Sequence, residues 1–171
     1  MSISLRMIQK APVVFSQYDP SSVISQSELA QAFAGGPRKS DAIHWLWCSY
    51  GRAVLADADP CMEANEGAAA TVAILSACPM QSRLDVKPLQ ERTYELKMGD
   101  ACLYLSETEE GDVFLHFFPF GMCCARRDAC RIDLTDFGSE AAAGFIASLF
   151  NSYTRIVRLC EKNTGAGLYS S

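Results

Sequence analysis

Apolar residues near the C-terminus recur at the spacing of an α-helix. Between residues 139 and 162 they fall on one side of a 3.6-residue repeat. The apolar members are Ala142, Phe145, Ile146, Leu149, Phe150, Tyr153, Ile156, Val157 and Cys160. The opposite side carries Ser148, Ser152, Arg155 and Arg158. A cap at Asp136 or Ser139 begins this helix, and we expect its apolar side to pack against a sheet.

The middle of the chain has the period of two that is typical of strands. The predicted strands are Thr93 to Lys97, Ala101 to Ser106 and Val113 to Phe118, and Arg131 to Leu134 adds a short edge strand. Turns are predicted at Met98-Gly99-Asp100 and at Glu109 to Asp112, because glycine and acidic residues favour hairpin turns. The pattern therefore predicts an antiparallel meander.

Residues 42–57 fit two periodicities. Ile43, Leu46, Trp47 and Tyr50 match a helical stripe, but Gly51 interrupts it. Aromatic and β-branched residues flank Tyr50-Gly51-Arg52 on both sides, which favours two paired strands. We interpret this segment as a hairpin.

Two shorter helices are predicted from their start and stop residues. The first begins after Ser25 or Ser27, which offer a capping hydroxyl, and ends at Gly35-Gly36-Pro37. The second begins at Asp59-Pro60, where a cap precedes a proline, and runs toward Cys78-Pro79. Its alanine-rich body allows close packing against other elements.

In chain order, the prediction is helix, two strands, helix, three strands, helix. This is an α/β (α+β) fold with a five-stranded antiparallel sheet and helices on its faces. Residues 1–22 form an N-terminal extension, residues 23–162 a single α/β domain and residues 163–171 a flexible tail. A chain of 171 residues that is 49% hydrophobic and 20% charged is long and apolar enough for one core.

This order of elements resembles the roadblock/longin group of profilin-like domains. The resemblance is carried by the hairpin at Ser49-Tyr50-Gly51-Arg52, the helix from Ala68 to Cys78, the meander from Arg92 to Pro119 and the closing helix from Ser139. It implies binding rather than catalysis, because domains of this group dimerise and serve as platforms for small GTPases, motor complexes or trafficking adaptors. Two features depart from the group: Tyr50 replaces the acidic residue often found before the hairpin glycine, and the loop of residues 121–131 is long.

Charge and hydropathy exclude several classes of partner. A net charge of -5 argues against nucleic acid, which needs a basic surface. No apolar run approaches the roughly 18 residues that span a bilayer, so we expect no membrane insertion and a cytoplasmic location. The 8 cysteines are expected to be mostly free thiols, since no secretory segment is evident. Four lie in apolar periodic segments and should pack as small hydrophobes. They are Cys48, Cys78, Cys102 and Cys160.

The remaining candidates for chemistry are few. Cys123, Cys124 and Cys130 lie near arginines, which favours reactive thiols, but their spacing does not match a zinc site. His44 and His116 lie in aromatic segments, and a Cys/His pair such as His116 with Cys102 can be drawn across the predicted meander. We therefore predict no catalytic, cofactor-binding or metal-binding residues and no cofactor.

The sequence thus favours a non-catalytic protein-binding module or scaffold that acts as a homodimer or heterodimer. Its partner would be a small GTPase or a related subunit. An acidic secretion chaperone or a toxin-immunity protein has the same size and charge and is the alternative. A chaperone needs exposed apolar grooves on its sheet to hold an unfolded segment, which distinguishes the two. A cysteine-dependent enzyme is a third possibility, supported by the thiol-rich loop alone.

Overall fold

Along the chain, four helices precede the five strands of the sheet and one long helix follows them. The computed structural model describes residues 19–34, 39–57, 63–90, 92–118 and 130–163. Its elements are α1 (Pro20–Val23), α2 (Gln26–Ala34), α3 (Lys39–Ala56), α4 (Ala68–Leu75), β1 (Asp85–Pro88), β2 (Thr93–Met98), β3 (Ala101–Glu107), β4 (Val113–His116), β5 (Arg131–Asp133) and α5 (Ser139–Asn163). Residues 1–18 of the predicted extension and 164–171 of the predicted tail lie outside the described residues.

The five strands form one antiparallel sheet in the order β1-β2-β3-β4-β5. The predicted fold class, a five-stranded antiparallel sheet with helices, is confirmed. Gly99 and Gly111 have φ of 61° and 91°, so both predicted turns use the left-handed conformation that glycine adopts without strain. The sequence prediction missed β1, because it is a short polar edge strand in which Val86 alone is partly buried.

The segment predicted as a hairpin is instead α3, so the order of two strands, helix, three strands is wrong. The apolar positions that match a helical stripe form the buried side of this helix. Leu46, Trp47 and Tyr50 are all buried. Gly51 does not make a turn. It lies where α3 approaches α5, and a Cβ there would be 3.2 Å from both Ile132 Cδ1 and Leu149 Cδ2. The glycine therefore permits close helix packing.

The start of α4 also differs from the prediction. Residues 58–62, which include the predicted Asp59-Pro60 start, lie outside the described residues, and the helix begins only at Ala68. Glu107 Oε1 on β3 accepts a hydrogen bond from Ala68 N at 2.9 Å, and Asn65 Oδ1 accepts one from Gly67 N at 2.8 Å. A carboxylate from the sheet thus caps this helix, which sequence spacing alone does not show.

The predicted cap of α2 is confirmed. Ser25 Oγ accepts a hydrogen bond from Glu28 N at 3.1 Å and donates one to Glu28 Oε1 at 3.3 Å. The two residues have the spacing of a capping box, in which a serine and a glutamate three positions later satisfy each other's polar groups. Local sequence is therefore enough to position this helix start.

The closing helix α5 is confirmed, with one correction to its polar side. Ser148 is buried because almost every residue in the first three turns of α5 is buried, and Ser152, one turn later, is buried against α3. Ser152 Oγ bonds the Tyr50 hydroxyl at 3.1 Å, and Trp47 Nε1 donates to the Leu149 carbonyl at 3.0 Å. These contacts fasten α3 to α5 through polar groups inside the core.

Leu149 lies at the centre of this packing and is fully buried. We expect Leu149→Ala to lower the free energy of unfolding by about 2 to 5 kcal/mol, through lost apolar burial and the cavity left behind. Arg158→Ala, on an exposed position of the same helix, should change it by at most about 0.5 kcal/mol. Urea melts of both variants measure the difference. Equal midpoints for the two variants would show that this side of α5 is not core.

His44 on α3 should make stability depend on pH. Burial against Phe118 lowers its pKa below the ordinary 6.5, against the weaker opposing effects of the Ser40 carbonyl and Asp41. The folded state then binds fewer protons than the unfolded state, so the free energy of unfolding falls as pH drops through about 6.5. His44→Gln should flatten this slope between pH 7 and 5, measured by urea melts. An unchanged slope would contradict it.

Candidate functional site

The two sides of the sheet have different environments. Residues that alternate along the strands and point toward the helices are buried. They include Leu96, Leu103, Leu105, Leu115 and Ile132. Their neighbours on the other side are half-buried or exposed, and we call this side the outward face. Its members are Asp85, Lys87, Thr93, Glu95, Lys97, Cys102, Tyr104, Ser106, Phe114, His116, Arg131 and Asp133.

The charges of the outward face lie on three of its five strands, on either side of β3 and β4. The strands β1, β2 and β5 supply all six charged members, whereas β3 and β4 supply only uncharged ones. Cross-strand pairing puts Tyr104 beside His116 and Ser106 beside Phe114. The centre of the face is thus a half-buried set of two aromatic rings, an imidazole, a hydroxyl and a thiol.

Hydrogen bonds and ring contacts order this centre. Ser106 Oγ is hydrogen-bonded to His116 Nε2 at 2.8 Å. The guanidinium carbon of Arg131 lies 4.6 Å from the centroid of the Phe114 ring, within the range of a cation–π contact. The centre is therefore held in place by side chains from β3, β4 and β5 together.

Cys102 is the thiol of this centre, and its environment keeps it protonated at neutral pH. Burial raises the pKa of Cys102, and the hydrogen bond from the Tyr104 hydroxyl opposes that rise only in part. Burial, followed by the neighbouring Cys102, also raises the pKa of Tyr104. A protonated thiol is a weak nucleophile. The geometry therefore favours packing over thiol chemistry at this position.

The Ser106–His116 pair has the separation of a nucleophile and its base. Acyl transfer also needs backbone N–H groups that point at the developing oxyanion. Ser106 lies on β3, which pairs with β2 on one side and β4 on the other, so the backbone around it is engaged in the sheet. The pair is thus better suited to ordering the face than to attacking an ester.

The sequence candidates are distributed unevenly. His116 and Cys102 do share the outward face, with Ser106 as the hydrogen-bond partner of the imidazole. His44 lies on α3 against Phe118. Cys123 and Cys124 lie outside the described residues, while Cys130 is buried and not part of an exposed loop. Sequence reasoning missed Tyr104, Ser106 and Phe114, although their alternation along predicted strands marks them as one face.

Apart from the outward face, the structure has a cleft at the starts of α4 and α5. This cleft of about 470 Å³ is lined by Glu63, Ala64, Glu66, Ile74, Ser139 and Glu140. Ser139 Oγ accepts a hydrogen bond from Glu66 N at 2.9 Å and donates one to Asn65 Oδ1 at 3.3 Å. Carboxylates near helix N-termini stabilise the helix dipoles, so the acidic lining has a structural explanation.

The thiols should differ in reactivity under native conditions. We expect an alkylating reagent to modify half-buried Cys102 before buried Cys48, Cys130 and Cys160, the last of which has its pKa raised to about 11 by burial. The rate at Cys102 should keep rising above pH 9.0, its ordinary pKa, because its own pKa is higher. Mass spectrometry of peptides after timed alkylation measures each rate. A plateau below pH 9.0 would contradict the raised pKa.

The described residues include neither a membrane-spanning helix nor a metal site. No described helix is both long and apolar enough to cross a membrane. Within the described ranges, no group of three or more His, Cys, Asp or Glu side chains is placed to hold a metal ion. No family model, curated protein or solved structure gives a significant match to the chain.

Proposed function

We propose that the protein is a non-catalytic protein-binding module that pairs with a second copy of itself through the outward face. The observation that carries the proposal is the distribution of charge on this face. Uncharged residues occupy β3 and β4, and charged residues flank them on β1 and β2 at one side and on β5 at the other. Protein interfaces have the same arrangement, with charges depleted at the core and retained at the rim.

The edges of the sheet are less suited to pairing than its face. The edge strand β1 carries Asp85 and Lys87 and ends at Pro88, whose nitrogen has no hydrogen to donate. The opposite edge, β5, has only three residues. Short strands, charges and proline are the features that keep an edge from pairing with another strand. A partner therefore fits the face better than it fits either edge.

Charge balance favours a second copy as the occupant. The face has three cationic residues and three anionic ones. They are Lys87, Lys97 and Arg131, and Asp85, Glu95 and Asp133. The whole chain has a net charge of -5, so other surfaces repel a second copy on average, whereas this face is neutral. Self-association through the face avoids that repulsion.

The size of the face bounds the strength of pairing. The five strands lie about 4.8 Å apart and are on average about five residues long, so they cover roughly 400 Å² per chain. Two such faces bury roughly 800 Å², below the about 1,200 Å² of stable complexes. We therefore expect a dimer that forms and dissociates readily, with a fraction paired that depends on concentration.

Of the elements that carry the roadblock/longin resemblance, the hairpin is absent because its residues form α3, while α4, the meander and α5 remain. Domains of that group present a dimer as a platform for a small GTPase, a motor or a trafficking complex, and we propose a cytoplasmic platform of this kind. The chaperone alternative is less well supported. In the described part of the chain, Leu89 is the one large apolar residue that counts as exposed, at 38%, so the outward face offers no exposed apolar groove for an unfolded segment.

Sedimentation velocity over a range from low to high micromolar concentration tests the pairing. The apparent mass of the unaltered chain should rise from one chain toward two as concentration increases. Phe114→Lys puts a cation at the centre of the face and should weaken pairing by at least about tenfold, or about 1.4 kcal/mol. Thr154→Lys makes the same charge change at an exposed position of α5 and should pair normally.

The outcomes separate the classes of function. Urea melts must show that Phe114→Lys is folded, and Tyr104→Lys serves as the second variant if it is not. A chain that stays at one chain mass at all concentrations would overturn self-pairing. Equal pairing by Phe114→Lys and Thr154→Lys would instead place the contact elsewhere. Binding of an unfolded segment by the single chain would favour the chaperone.

A further inference from the structure

His116 lies at the centre of the outward face. It belongs to β4, and cross-strand pairing puts it between Tyr104 on β3 and Arg131 on β5. Its Nε2 is hydrogen-bonded to Ser106 Oγ at 2.8 Å, and its ring centroid lies 6.3 Å from that of Phe114. The half-buried imidazole is therefore ordered by the side chains that form the uncharged part of the proposed interface.

The groups around His116 favour a neutral imidazole. Arg131, directly opposite on β5, is positively charged throughout the physiological pH range. The Ser106 hydroxyl can donate to an unprotonated ring nitrogen as well as accept from a protonated one, so this hydrogen bond does not require the imidazolium. Tyr104 and Cys102 on β3 are uncharged near neutral pH, because burial raises the pKa of each. A proton on the imidazole would thus add a second cation beside the first.

The carboxylates of the face are not paired with His116. Glu95 is on β2, two strands away from β4. Asp133 pairs with Phe114, and its carboxylate accepts a hydrogen bond from Thr135 N at 2.9 Å. The other charged members of the face are on β1 and β2 as well, and they are Asp85, Lys87 and Lys97. Within the described sheet, the cross-strand partners of His116 thus include no carboxylate.

We propose that protonation of His116 controls pairing through the outward face, so that the pair dissociates in mildly acidic solution. The inference rests on the proposed dimer and adds its regulation. A second copy that covers the centre of the face removes water from both imidazoles, and burial of a charge without a counter-charge costs more than burial of the neutral ring. The pair therefore binds fewer protons than two separate chains, so its association constant falls as the pH falls.

Sedimentation velocity at pH 7.5 and pH 5.5, at one ionic strength, tests this regulation. A histidine side chain ordinarily has a pKa of about 6.5, so at pH 5.5 about nine in ten imidazoles carry a proton that must be released on pairing. One such release weakens pairing about tenfold, and the two in a dimer weaken it about 100-fold. We expect the dissociation constant of the unaltered chain to rise at least about tenfold from pH 7.5 to pH 5.5.

The chain has two histidines, and the second one supplies a matched control. His116→Gln keeps a neutral hydrogen-bonding group at the centre of the face and should pair with nearly the same dissociation constant at both pH values. His44→Gln removes the imidazole that lies on α3 against Phe118, and it should keep the pH dependence of the unaltered chain. Urea melts at pH 5.5 must show that each variant is folded there.

Proton NMR measures the same coupling without a substitution at the site. The imidazole C2 protons of the two histidines are assigned with the His44→Gln variant. In the unaltered chain, the His116 signal should titrate at a lower pH in a concentrated sample, where chains are paired, than in a dilute one. An equal midpoint at both concentrations would contradict the coupling.

The outcomes distinguish this inference from the proposed function. An unaltered chain that pairs equally at both pH values would overturn control by His116 and leave the dimer standing. The same holds if His116→Gln loses pairing at pH 5.5 as the unaltered chain does. Stronger pairing at pH 5.5 that requires His116 would mean that a carboxylate of the second copy binds the imidazolium, which also overturns the proposal. A chain that stays single at both pH values would overturn the dimer and its regulation together.

Discussion

The close approach of α3 to α5 at Gly51 is the constraint on which the rest of the structure depends. A methyl group at this position would lie 3.2 Å from side chains of both β5 and α5, closer than most atoms in a packed core come. A glycine in a helix interior costs about 1 kcal/mol of propensity, so its position must be offset by packing. Here the stabilising contribution is the close packing of α3, α5 and β5, in which a larger residue would fit too tightly.

Several features follow from that contact. With α3 close to α5, Trp47 reaches the Leu149 carbonyl, and its ring lies 5.5 Å from Phe117 and 5.7 Å from Phe150. Aromatic rings at such separations prefer edge-to-face geometry, and both pairs have it. The same contact brings Arg52 to the β5 backbone and Cys48 to Cys130. The position of β5 is thus set from the helix layer.

Sequence patterns predicted the elements whose period is unambiguous. The strands β2 to β5, the two glycine turns, the serine cap of α2 and the apolar side of α5 were all read from local spacing. The segment 42–57 was wrong, since its apolar residues fit helix and strand alike, and the glycine was taken as a turn signal. The helical conformation of this segment brings Gly51 into contact with Leu149 and Ile132, which are far away in sequence. The Glu107 cap of α4 was missed for the same reason.

The candidate site was only partly predictable. The predicted meander allowed His116 and Cys102 to lie near each other, but Tyr104 and Ser106 were missed, although alternation puts them on the same side of the sheet. Alternation did not show which side the helices cover. That depends on where α5 is packed, and α5 is positioned by α3, whose conformation was misjudged. The grouping of Cys130 with exposed thiols failed because its partner is on that same helix.

The sheet separates core residues from outward-facing residues through the simple alternation of its side chains. On β3, Leu103 and Leu105 are fully buried under the helices, while Tyr104 and Ser106 between them are half-buried on the outward face. Changes at the first pair act on stability, and changes at the second act on what the face contacts. The two sides of the sheet are linked at β5. Ile132 packs against Gly51 on the buried side, while its neighbour Arg131 lies over the Phe114 ring on the outward face. A displacement of α3 would therefore move this three-residue strand. Because β5 carries Arg131 and Asp133, the charges at this edge of the outward face would move with it.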